Sequence, residues 1–224
     1  MAVSWDITDK DAVPLTIEGQ EELLVTIAAI NREFLLMMAA GECAYRYDGR
    51  PFLGALSPVM VGLSENSIAH ALRFPFMFVD LGFTEPQWWR SDFSPAAMPV
   101  QDGTGSPAFA VNRIVPLVRS VLTLALHLAK SERESALVLL GLTPEVADLL
   151  AHRGIHEIEL LTELGCRLLR PRWADQPAVW RHLLAVEGTE PVVSGRAFVL
   201  HALQLSNAKY SAHSQPRKRR HLLR

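Results

Sequence analysis

Residues 122–173 read LTLALHLAKSERESALVLLGLTPEVADLLAHRGIHEIELLTELGCRLLRPRW, and their reading decides the fold. Leu122, Leu124, Leu126, Leu128 and Ala129 crowd a segment of strong helix formers. Ser131 with Glu134 has capping-box spacing, which predicts a new helix start there. Ala136, Leu137, Leu139 and Leu140 make that short helix apolar on most sides, so burial is expected. Gly141 supplies a left-handed residue to end it. Thr143-Pro144-Glu145 is a strong helix start: a hydroxyl cap, Pro in the first turn, then a carboxylate at the positive end of the dipole. Val146, Ala147, Leu149 and Leu150 keep the helical period, and Gly154 is expected to end it. A last helix over 156–164 uses Ile158, Leu160, Leu161 and Leu164. Gly165 is expected to stop it before the basic exit of Arg167, Arg170 and Arg172.

Leu137, Leu140-Gly141, Thr143, Ala147 and Leu150 have the spacing of a helix-turn-helix. The second helix of such a motif normally enters the major groove. This one opens Pro144-Glu145, carries Asp148, and has no Arg, Lys, Asn or Gln before Arg153. Base edges are read by those four residue types, and phosphates repel carboxylates. The motif is therefore expected to pack rather than read. Residues 122–173 resemble the flagellar transcriptional activator subunit FlhD, against which they can be laid without a gap. The likeness rests on the Leu-rich 122–128, Ser135-Ala136, Leu140-Gly141-Leu142, Glu145, Val146-Ala147, Ile155, Ile158 and the exit Arg172-Trp173. It implies a helical regulator subunit that associates with DNA beside a second protein, FlhC, which carries zinc and much of the DNA contact. The family's Cys near the exit is matched here by Leu169, with Cys166 three residues earlier, so its intersubunit bridge does not transfer.

Outside that stretch, 224 residues with 49% hydrophobic and 21% charged content fit a folded chain of one or two domains. The net charge of −2 conceals a division: residues 207–224 carry +6 and no acid, leaving −8 for the rest. A basic tail on an acidic body suggests contact with nucleic acid or an acidic partner. Two distant cysteines, Cys43 and Cys166, make neither a disulfide framework nor a zinc site. The N-terminus lacks a signal-peptide pattern, and no apolar run is expected to span a bilayer, so a cytoplasmic protein is expected.

Residues 1–15 read as an extended arm, and 18–38 as a long helix with Leu23, Leu24, Ile27, Ile30, Phe34, Leu35 and Met38 on one face. That stripe suits a core or a dimer contact. Tyr45-Arg46-Tyr47 fits a surface loop, and base stacking is its sharper reading. Two short helical pieces follow over 52–63. Ser64 then caps a helix, Pro75 opens another through Met77, Phe78 and Leu81, and Gly82 ends it. Residues 84–89 cap a last turn.

The first half echoes the second. Ile30-Asn31-Arg32 matches Val111-Asn112-Arg113, Val61-Gly62-Leu63-Ser64 matches Leu140-Gly141-Leu142-Thr143, and Ile68-Ala69 matches Val146-Ala147. Two tandem FlhD-like copies can pack as a pseudo-dimer within one chain, although short capped helices after Gly-Leu-Ser/Thr recur in many helical proteins. The expected organisation is an N-terminal helical half over 1–90, a Pro/Gly-rich linker over 91–107, an FlhD-like half over 108–206 and a flexible basic tail over 207–224. Pro116 is expected to break the second long helix near Leu117. Asp175 is expected to cap a helix from 176 to 186, and 189–203 to form the last one. With no alternating segment, the class is all-α: short capped helices in a bundle.

No nucleophile–base pair, phosphate loop or dinucleotide fingerprint occurs, so the chain is not read as an enzyme and no cofactor is expected. His152 and His156 are four apart but straddle Gly154, short of a metal site. Trp88, Trp89 and Arg90 close one half and Arg170, Arg172 and Trp173 the other. They suit either packing or a partner surface, where Trp and Arg are enriched. In the tail, Lys209, Arg217, Lys218, Arg219, Arg220 and Arg224 are candidates for sequence-blind phosphate contacts. Two function classes follow: an FlhD-like activator subunit on DNA with an FlhC-like partner, able to form homo-oligomers, and a helical adaptor with no DNA role.

Overall fold

The computed structural model describes residues 17–40, 53–60, 63–90 and 111–184. It is mostly helical, as the periodicity requires. Helix α1 (Ile17–Ala39) buries Leu23, Ile27, Ile30, Phe34, Leu35 and Met38, with Met37 added, while Leu24 stays exposed. A 3₁₀ turn (Gly54–Leu56) runs into the short α2 (Ser57–Met60). Helix α3 (Glu65–Ala71) starts where Ser64 Oγ accepts the Ser67 N–H, and Ser64 Oγ and Ser67 Oγ lie 3.0 Å apart. The second half begins with α4 (Val111–Ser131), followed by the short α5 (Arg133–Ser135), which continues as a π-helical turn (Ala136–Leu140). Gly141 follows at φ 77°, and then α6 (Pro144–Ala151), capped by Thr143 Oγ1 accepting the Val146 N–H. A 3₁₀ turn (Ile155–Glu157), α7 (Ile158–Leu168) and α8 (Pro177–Leu183) complete the chain's described part.

Several local expectations are corrected. Ser131 does not start a helix: it is the last residue of α4, and its hydroxyl donates to the His127 carbonyl at 2.9 Å. Pro116 lies inside α4 without ending it. Its missing N–H leaves the Asn112 carbonyl without an intrahelical donor, a local cost outweighed by packing of α4 against α1, α6 and α7. Gly154 is extended and belongs to the next turn. Gly165 does not stop α7, which runs on to Leu168. A Cβ there would lie 2.7 Å from Val118 Cγ1, so the glycine lets α7 and α4 approach closely. The N-cap residue of α8 is Gln176 rather than Asp175, and its side chain makes no cap hydrogen bond. Arg113–Ser131 is, by length and composition, long enough and apolar enough to cross a membrane, contrary to expectation, and half of that window is buried in the fold.

The largest correction concerns residues 75–81. They form no helix: the chain bends at Phe76 and enters strand β1 (Val79–Asp80) two residues after Met77. This strand pairs antiparallel with β2 (Arg170–Pro171), in the register Val79↔Pro171 and Asp80↔Arg170. Two residues per strand are too few to show as alternation in a sequence. Extension has a physical cause in Asn31 on α1, which is fully buried. Its amide donates to the Phe76 carbonyl (2.6 Å) and accepts the Phe78 N–H (2.8 Å), pairing backbone groups that a helix would have paired internally.

One apolar core runs from Leu23 to Leu184 through both halves. The halves meet reciprocally. The long helices α1 and α4 pack on each other, and the ribbon joins one strand from each. The first half's exit turn (Pro86–Trp88) packs on α6 of the second, and the second half's exit helix α8 packs on α2, α3 and the 54–56 turn of the first.

Candidate functional site

The ribbon gathers the chain's polar side chains. Asp80 Oδ1 accepts the N–H groups of Gly82 and Phe83 (both 2.9 Å), folding the chain back on itself after β1. Its other oxygen accepts from Arg170 Nε and Nη2 (both 2.7 Å), directly across the strand pair. Arg170 Nη2 also reaches Glu85 Oε1 (2.7 Å), and Glu85 Oε2 accepts the Trp88 indole N–H (2.7 Å). Burial alone would raise the Asp80 pKa; Arg170 and the Phe83 N–H outweigh it and hold the carboxyl below its ordinary value. Arg170 moves the other way: burial would lower its pKa, and Asp80 with Glu85 raise it instead. The pair is therefore fixed in its charged form.

Arg172 sits two residues on and faces inward. Its Nη1 donates to the carbonyls of Leu139 (3.1 Å) and Met77 (3.4 Å), one from each half. Its backbone N–H donates to Phe78 O (2.7 Å). The guanidinium lies 4.6 Å from the centroid of the Trp173 ring, a cation–π contact. Burial pushes its pKa down to about 10. The same guanidinium fills the place a Cβ on Gly141 would take, so the glycine is required by space as well as by its positive φ. Trp173 has φ 55°, uncommon for a bulky residue, and its ring is buried edge-on to Phe76.

The six Trp and Arg candidates for partner contact thus have distinct environments. Trp89 is completely enclosed, stacked on Phe83, with its indole donating to Gly82 O (3.0 Å). Trp173 and Arg172 are buried. Arg170 and Trp88 are half-buried in the ion-pair chain. Arg90 is exposed and reaches Glu145 of α6 at 3.5 Å, both side chains being nearly 60% exposed. These residues lie at and around the joint between the halves, and Trp88 and Arg90 keep the most accessible surface. The tail candidates Lys209, Arg217, Lys218, Arg219, Arg220 and Arg224 lie outside the described residues, as do Cys43, Tyr45, Arg46 and Tyr47.

On α6, Val146, Ala147 and Leu150 face the core. Its acids Glu145 and Asp148 face out and are paired with Arg90 and Arg133 (2.9 Å). Cys166 is half-buried, and burial pushes its thiol up to about 11. Among the described residues, no group of three or more His, Cys, Asp or Glu side chains is placed to hold a metal ion. A groove of about 310 Å³ between α1 and α4 is lined by Ala29, Ile30, Pro116 and Leu117, with Glu33 and Arg113 as an ion pair. Ser120 completes its lining.

The sequence reading missed Asp80, Asn31 and Glu85, which carry the joint. Asp80 had a local signal, an Asp two residues before a Gly, the pattern of a side-chain-closed turn. Asn31 had one too: a lone amide within an apolar helical stripe. No protein-family model matches the chain, and none of the curated proteins or solved structures does.

Proposed function

We propose that the chain is an FlhD-like transcriptional regulator subunit, acting in the cytoplasm and associating with DNA together with an FlhC-like protein. The observation that carries this reading is the turn at Gly141. A short helical segment, a left-handed glycine and a Thr-capped, Pro-started helix follow one another in the order the resemblance implies. The division of charge supports it as well. The described arginines are mostly paired with acids of the same chain, and the outward face of α6 is acidic but neutralised. Such a body suits docking on another protein, and the basic tail is left to grip phosphates.

The same reading takes the two halves as diverged copies packed as an intrachain pseudo-dimer. In support, each half opens with a long helix, a short helix and a hydroxyl-capped helix, and each later has a short strand and a Trp-bearing exit, with α7 added before the strand in the second half only. Each exit lies on the other half, and the two strands pair antiparallel, as a two-fold relation demands.

The acidic face of α6 favours one alternative, a helical adaptor with no DNA role. Co-expression with an FlhC-like protein, followed by mobility shifts over a salt series with and without residues 207–224, separates the two. The regulator reading expects a co-purifying complex whose DNA affinity falls steeply with salt and weakens without the tail. A complex that forms and shifts no DNA at any salt supports the adaptor instead.

A further inference from the structure

Arg73 and Arg181 break the pattern of paired arginines. The other exposed and half-buried arginines of the described residues reach a carboxylate, from Arg32–Glu65 to Arg170–Asp80. Arg73 and Arg181 are exposed, and no carboxylate among the described residues pairs with them. They lie on elements that touch. Arg73 follows α3, its N–H donating to His70 O at 3.2 Å, and Arg181 is in the last turn of α8. At this contact His70 and His182 flank Phe74, with ring centroids 5.8 and 6.3 Å from it. Two arginines and two imidazoles therefore lie on the elements that meet at the joint between the first half and the exit helix of the second.

Among the described residues, little opposes them. The acid of α3, Glu65, is bridged to Arg32 at 3.5 Å. α2 and the 54–56 turn, which also pack on α8, contain no ionisable side chain, and Asp175 precedes α8. The His182 pKa is lowered, first by burial and then by the neighbouring His70. The large apolar side chains left exposed on the described surface, Leu24, Val25, Val138, Ile155 and Leu160, are all elsewhere, so this patch lacks what insertion into a lipid surface needs.

We infer that the α3–α8 joint is a phosphate-binding face that takes the backbone of a nucleic acid through Arg73 and Arg181. This rests on the DNA-association reading above and gives the body, as well as the tail, a share of the grip. Contact of this kind is sequence-blind and salt-sensitive.

The test is fluorescence anisotropy of a labelled DNA duplex of arbitrary sequence, titrated with the full chain over a salt series. Replacing both arginines, R73Q with R181Q, should make the slope of log affinity against log salt shallower by about two. It should also weaken binding about tenfold or more at low salt, and removing residues 207–224 should leave that difference standing. Circular dichroism checks that each variant folds. Unaltered affinity and slope in R73Q/R181Q overturn the inference while the DNA reading stands. Should the chain bind no duplex, with or without an FlhC-like protein, yet bind tripolyphosphate through Arg73 and Arg181, the nucleic-acid occupant is overturned with the DNA reading, and the phosphate face remains. Failure to bind either overturns both.

Discussion

The two halves of this molecule start alike and part company after their capped helices. In the second half the chain makes another helix, α7, which lies tightly on α4 because Gly165 leaves room for Val118. In the first half the corresponding stretch forms no helix, passes through Phe76 and Phe78 into β1, and is held by Asn31. Each half also borrows from the other. Met77 N–H donates to Leu139 O, and Thr143 N–H and Arg172 N–H of the second half donate to Phe83 O and Phe78 O of the first. The comparison teaches that the non-helical stretch of the first half is completed by the second half, and that the dependence runs both ways.

The sharpest way to break that comparison is to separate the halves. Residues 1–105 alone should show no cooperative thermal transition by circular dichroism, whereas co-expression with 106–224 should restore one. A fragment that melts cooperatively by itself would refute the dependence. Next comes Asn31→Ala, which strands a buried carbonyl and a buried N–H. It should cost roughly 2–4 kcal/mol in urea unfolding. Gly165→Ala probes the other half and should cost roughly 1–3 kcal/mol by overpacking against Val118. Asp80 gives a smaller, pH-dependent effect. Its folded pKa is depressed, so its contribution is fully present above the unfolded value of about 3.9 and is lost as pH falls through the folded one. The stability gap between wild type and Asp80→Asn should therefore be constant near neutrality and shrink below about pH 4. Smallest is Arg90→Ala, which removes an exposed ion pair to Glu145 and should change stability by less than about 1 kcal/mol.

Legibility in the sequence followed the range of the determining interaction. Ser64, Thr143-Pro144 and Gly141 act within four residues, and the caps and the left-handed turn they predict are present. Trp180, Leu183 and Leu184 of the helix expected over 176–186 are buried, as helical spacing within that segment requires. Gly165 was misread because its partner is Val118, far back in the chain: a glycine that ends a helix and one that admits a neighbour look the same locally. The expected helix at Pro75 failed for a similar reason, since Asn31 overrides local propensity from 45 residues away. At the site, Arg170 and Arg172 were singled out from composition. Their partners, Asp80 and the carbonyls of Met77 and Leu139, come from other parts of the fold. The cationic character of the α3–α8 joint was invisible for the same reason, because His70 and His182 meet only through packing.

Trp180 is wholly enclosed beside Phe78, and its indole donates to the carbonyl of Arg172. It is encoded in one half and sits against a ring of the other, which gives the molecule an optical gauge of its own assembly. With the other four tryptophans changed to phenylalanine, its emission should shift to the red at the moment the exit helix lifts away. Any partner that prises the joint open would then announce itself by colour, before secondary structure is lost.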